Sequence, residues 1–152
     1  MACGAVLATL AIGTWLGVVV VGSEHVSLGE ATRGGDLLAG TRRFLRETGI
    51  VEPDEPVLWF YSRGLFAVRE NGNLLTDTRA IVYDTAEDGS LDVRSVDYPS
   101  MVRVYDTFRD PAIGDVTGVR IDVGDGSQFF LAMGDADAEE PEALRDLRER
   151  VR

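Results

Sequence analysis

Lysine is absent: all fifteen basic residues are arginine, against twenty-six acidic ones. That bias is what a GC-rich genome produces, and it is consistent with a bacterial source. The formal charge of −11 and the isoelectric point of about 4.4 set up a field that repels phosphate backbones. Nucleic-acid binding would need a local basic patch with interleaved aromatics, and the chain has none. Cysteine and histidine occur once each, as Cys3 and His25. A single copy of each excludes an intramolecular disulfide, a Cys-x-x-Cys redox pair and a Cys/His zinc site within one chain. A Ser-His-Asp triad would have to use His25, which borders an apolar run and reads as an interfacial or solvated side chain. Gly-rich phosphate loops and Rossmann spacings are also missing, so no cofactor site is expected.

At 152 residues the chain has room for one domain of about 100 residues plus further segments. Three parts are expected: residues 1–22, 23–52 and 53–152. From Gly4 to Gly22 the sequence GAVLATLAIGTWLGVVVVG carries no charge, and nineteen residues at about 1.5 Å of helical rise each span the hydrocarbon thickness of a bilayer. It reads as a transmembrane anchor. A cleaved secretory signal is the rival, because Val20 and Gly22 are small enough to precede a cut before Ser23, although the start lacks the usual basic residues. Arg33, Arg42, Arg43 and Arg46 all follow the run, which places the rest of the chain on the cytoplasmic side of a single-pass cell-membrane protein. The alternative is a periplasmic or extracellular location. Ala5, Thr9, Gly13 and Gly17 form a small-residue stripe, so Gly13 and Gly17 mark a face through which a homodimer could form.

Residues 23–52 read as a partly helical connector. Leu37, Leu38, Thr41, Phe44, Leu45 and Thr48 recur at helical spacing, predicting an amphipathic helix from about Gly35 to Glu47 that ends at Gly49 and packs on the domain or lies at the membrane surface. From Glu55 onward the pattern turns to period two. Seven strands are expected, over 56–61, 65–70, 78–84, 90–96, 101–108, 116–123 and 127–133, with hairpin turns at Asn71-Gly72, Asp88-Gly89 and Asp125-Gly126. In 116–123, Thr117, Val119, Ile121 and Val123 share one face while Arg120 and Asp122 share the other, so the sheet has a wet side and needs one apolar cover. The cover is expected from a C-terminal helix. Pro141 opens it, Glu139, Glu140 and Glu142 suit its positive start, and Leu144, Leu147 and Val151 form its apolar stripe.

The stretch LWFYSRGLFAVRENGNLLTDTRAIVYD, with Leu75, Thr76, Asp77, Thr78, Arg79, Ala80 and Ile81 opening the third strand, resembles the start of bacterial pleckstrin-homology-like (PH-like) domains. The similarity covers roughly residues 53–150. It implies a mainly β fold, a seven-stranded antiparallel barrel or sandwich capped by a C-terminal α-helix, and a binding role rather than a reaction. The first interstrand loop holds only Arg63 and Arg69, beside Glu70, so a phosphoinositide grip is not expected.

Thr76, Asp77 and Arg79 are expected to be structural. The hydroxyl and carboxylate would bond backbone donors at a turn, and Arg79 would pair with Asp77 or with exposed carbonyls. An arginine beside a carboxylate depresses its pKa and makes it a poor base at neutral pH. DTAEDGSLD, residues 84–92, has Ala86 at the third place of a calcium loop counted from Asp84, and Ser95 falls at the twelfth, both where ligands are needed, so it reads as a hairpin turn, as does DVGDGSQ. Trp59, Phe60, Tyr61, Phe129 and Phe130 are expected in the core or half-buried on strands. The leading expectation is a non-enzymatic, membrane-tethered PH-like adaptor for a protein or peptide, with Arg63 and Arg69 as contact residues. Two others are an envelope-associated structural domain released by cleavage, and an enzyme built on Asp106, Asp110 and Asp115.

Overall fold

The computed structural model describes residues 31–62, 67–105, 108–109, 116–135 and 141–152. Among them are nine strands and two α-helices, in the order β1 (Thr32–Arg33), α1 (Ala39–Glu47), β2 (Val57–Tyr61), β3 (Asn71–Thr76), β4 (Arg79–Thr85), β5 (Leu91–Asp97), β6 (Met101–Val104), β7 (Phe108–Arg109), β8 (Val116–Val123), β9 (Gln128–Asp135) and α2 (Glu142–Arg150). Two antiparallel sheets result. The larger is the meander β1-β2-β3-β4-β5. In the smaller, β8 is central, with β9 along one edge and β6 and β7 sharing the other as an interrupted strand. The ladders do not close into a barrel among the described residues. The sheets form a sandwich, and β9 meets β3 through the Asn73 side chain, whose Oδ1 accepts the Ala132 amide at 2.9 Å.

The two faces of the larger sheet feed two cores. Trp59, Leu75, Ala80, Val82 and Val96 point into a cluster completed by Val119, Ile121, Leu131 and Met133 of the smaller sheet and by Ala143, Leu144 and Leu147 of α2. Phe60, Leu74, Ile81 and Tyr83 point the other way, into a cluster with Leu37, Leu45, Ile50 and Val51. The expectation of one apolar cover is therefore corrected for this sheet. The C-terminal helix covers one face as predicted, and α1 with its flanks covers the second. The segment read as a connector packs on the domain, and it adds β1, which pairs Thr32 with Phe60 and Arg33 with Trp59. Its helix ends as expected at Gly49, whose φ of 71° suits a residue without a Cβ.

The second strand departs from its predicted place. Residues 67–69 form a 3-10 turn, and Asn71-Gly72 lies inside β3, paired with Asp84 and Tyr83. The Asx-Gly signal misleads here because the glycine serves a different need. A Cβ on Gly72 would stand 2.5 Å from Cε1 of Tyr83, so the missing side chain makes room for a buried ring. Gly72→Ala is expected to cost about 1–3 kcal/mol of stability through overpacking, measurable by urea denaturation. The other two turns are as predicted. Gly89 and Gly126 have φ of 82° and 88°, and the Asp88 and Asp125 carboxylates accept the Ser90 and Ser127 amides at 2.9 and 2.8 Å. These hydrogen bonds, with the serine hydroxyls foremost, lower both carboxyl pKa values.

The apolar run 4–22, including Gly13 and Gly17, lies outside the described residues, as do Cys3 and His25. Among the described residues no helix is long and apolar enough to cross a membrane.

Candidate functional site

The Thr76-Asp77-Thr78-Arg79 stretch is the loop of the β3–β4 hairpin, with Thr76 ending one strand and Arg79 beginning the next. Thr76 is buried, and its hydroxyl accepts the amides of Arg79 at 3.0 Å and Thr78 at 3.3 Å. This is the turn chemistry expected of it. Arg79 does not pair with Asp77, which corrects the sequence expectation. Its Nε and Nη2 donate to Oε1 and Oε2 of Glu55 at 2.8 and 2.7 Å, a two-pronged grip on a carboxylate whose side chain is 7% exposed. Glu55 also accepts the Glu52 amide at 3.0 Å. The Arg79 hydrogen bonds hold its carboxyl down to about 2, against the opposing effect of burial.

Other elements tie into the same hairpin. The Tyr98 hydroxyl donates to the Thr76 carbonyl at 2.7 Å, the Tyr98 amide donates to the Thr78 carbonyl, and Arg150 at the end of α2 reaches the Asp77 carbonyl while lying over the Tyr98 ring. The loop fastens the approach to β2, the exit from β5 and the end of α2 to one point. A carboxylate so engaged is a poor proton acceptor at neutral pH. A cleft of about 220 Å³ between α1 and the start of β2 is lined by Arg42, Arg46 and Glu55 among others.

Of the arginines put forward for partner contact, Arg63 lies outside the described residues, and so do Asp106, Asp110 and Asp115. Arg69 ends the 3-10 turn, with its guanidinium 5.9 Å from the Phe44 ring centroid. Its guanidinium lies toward α1, while its carbonyl accepts the Thr85 hydroxyl of β4 at 2.7 Å.

A more developed surface lies on the outer face of the smaller sheet. Alternation on β8 sends Val119 and Ile121 inward and Arg120 and Asp122 outward. The register sets Arg120 opposite Phe130, and Asp122 between Gln128 and Arg103. Tyr105 follows β6, and its amide donates to the Arg120 carbonyl at 2.8 Å. Two guanidinium groups lie over its ring, Arg120 at 3.9 Å and Arg103 at 4.9 Å from the centroid. Its hydroxyl donates to Asp122 Oδ2 at 2.6 Å, which holds the ring in place. Phe130 and Val102 beside this group are 50% and 68% exposed. Phe130 thus faces outward with half its surface covered, and Phe129 takes the inward place. The pattern Arg103-x-Tyr105 at the end of β6 and Arg120-x-Asp122 on β8 carries the signal for this face.

No protein-family model matches the sequence, and no curated protein matches it. A solved structure similar to the chain is the crystal structure of a PH-domain-containing bacterial protein from Exiguobacterium sibiricum 255-15, at 11% sequence identity and a TM-score of 0.41. The match covers 81% of this chain and spans 58% of the length of that one.

Proposed function

We propose that the chain is a non-enzymatic, PH-like binding module, tethered to a membrane through residues 4–22, that presents the outer face of its smaller sheet to a protein or peptide. What supports the fold assignment is the element order. The meander β2–β5 is followed by three strand positions (β6 with β7, then β8 and β9) and a C-terminal helix packed between the sheets. The observation that carries the binding role is the Arg103–Tyr105–Arg120 stack beside Phe130 and Val102. Tyrosine, arginine and exposed apolar side chains dominate the energetics of protein contacts. Here the tyrosine is held by Asp122 and the guanidiniums by its ring, so little side-chain freedom remains to be lost on binding. Two guanidiniums against one carboxylate make this face locally basic on an acidic chain, and an acidic side chain in the partner complements it.

The test is a photo-crosslinking residue at Phe130 in the full chain in cells. Adducts with a discrete partner are expected to fall roughly tenfold when Arg120 or Tyr105 is changed to alanine. Adducts indifferent to both changes would sink this reading. Impermeant maleimide labelling of Glu87→Cys in a Cys3→Ser background, before and after permeabilisation, reports on which side of the membrane that partner is to be sought.

A further inference from the structure

The last strand of the larger sheet, β5, has one edge paired with β4 and, among the described residues, no strand on the other. Such an edge offers a row of backbone donors and acceptors to another strand, and proteins usually blunt it with charge. β5 carries charge in an arrangement that selects one partner. Asp92, Val93, Arg94 and Ser95 are all exposed, and since successive side chains alternate, both faces of the strand are open there. Val93 is 41% exposed, an apolar side chain flanked by charges of opposite sign.

The hydrogen-bonding phase of the strand is also known. Ala86 donates its amide to the Ser90 carbonyl and Tyr98 to that of Thr78, and the ladder between them runs without a register shift. Even-numbered residues of β5 therefore direct their backbone groups toward β4, and Leu91, Val93, Ser95 and Asp97 direct theirs outward.

From this we infer that β5 pairs antiparallel with β5 of a second copy of the chain, about a two-fold axis through Val93. In that register Val93 faces Val93 as a hydrogen-bonded pair. Leu91 faces Ser95 with the outward-directed backbone groups of both, and Asp92 of each copy lies opposite Arg94 of the other on the same face. Every outward amide and carbonyl in the centre of the strand finds a partner, and both charges meet their opposites. Centring the axis on Arg94 instead would oppose two arginines and two inward-directed backbones. The intrachain contacts of Arg94 with Asp84 and Asp92 are long, 3.5 Å each, and leave the side chain 60% exposed. The two copies join their five-stranded sheets into one continuous sheet. This pairing is independent of the binding face on the smaller sheet.

Cross-linking of the full chain, in the Cys3→Ser background, tests both the contact and its register. Cα atoms of a hydrogen-bonded antiparallel pair are about 5.5 Å apart, within reach of a disulfide, so Val93→Cys is expected to cross-link under mild oxidation. Ser95→Cys is expected not to, because two copies of that residue would lie about 13 Å apart along the strands. Added to Val93→Cys, either Asp92→Arg or Arg94→Asp opposes like charges twice and is expected to lower the yield about tenfold. Mixing those two variants restores opposite pairs and the yield. Equal cross-linking at positions 93 and 95, no cross-linking at 93, or a yield indifferent to the charge reversals would each overturn the pairing.

Discussion

Arg79→Ala is expected to destabilise the chain by about 3 kcal/mol, because it leaves the Glu55 carboxylate buried without its counter-ion. With the Glu55 side chain 7% and the Arg79 side chain 22% exposed, the pair is far from the solvent-screened contacts at Arg33–Glu142 or Arg94–Asp84, whose loss is expected to be small. Arg79→Lys keeps the charge but forfeits the two-pronged geometry, so it should fall between wild type and alanine. The pH dependence has a definite sign. The folded-state carboxyl of Glu55 is held at about 2 against an ordinary value of 4.5. Its contribution is therefore complete above about pH 4.5 and disappears as the pH falls through about 2. Urea denaturation of wild type and Glu55→Gln across that range is the measurement. The gap between the two should close toward the acid end, and a gap that stays constant would mean that the carboxylate's ionisation does not support the hairpin.

Leu147→Ala should cost about 2–5 kcal/mol, the range for emptying a fully buried leucine site. Leu147 is 0% exposed in the cluster where both sheets and α2 converge. Leu144, at 1% exposure, should behave alike, whereas Val151 on the same stripe is half-buried and should lose much less. The exposed Arg145 on the opposite side should be nearly neutral. Thermal or urea unfolding of the four alanine variants therefore maps which side of α2 holds the fold. Equal sensitivity at Leu147 and Arg145 would contradict the packing described.

These cases show what the sequence carried and what it could not. The α2 stripe, the hairpins at Asp88-Gly89 and Asp125-Gly126 and the alternation of β8 are local patterns, and each appears in the structure where spacing placed it. Asn71-Gly72 misleads because a turn and a cavity for a distant ring demand the same residue. Nothing within a few positions of Gly72 announces Tyr83. Likewise Asp77 is the nearest acid to Arg79 in sequence, but the guanidinium takes Glu55, twenty-four positions upstream. The period-two rule also failed to show that the larger sheet has two covers, since a strand buried on both faces loses the polar alternation that marks a wet side. The outer face of the smaller sheet was visible as Arg120 and Asp122, while the stacking of Tyr105 between strands depends on register.

The double burial of β3 and β4 has a consequence for misfolding. A slip of one residue along a strand with one wet face would throw its apolar set into water, and that penalty ordinarily guards the alignment. Here a slip would exchange Leu74 for Leu75, or Ile81 for Val82, one greasy surface for another. The guard must come from groups that fit in one alignment alone. Gly72 beneath the Tyr83 ring and the Thr76 hydroxyl at the hairpin bend are such groups, so variants at these two positions should populate slipped, aggregation-prone conformers out of proportion to the few atoms they alter.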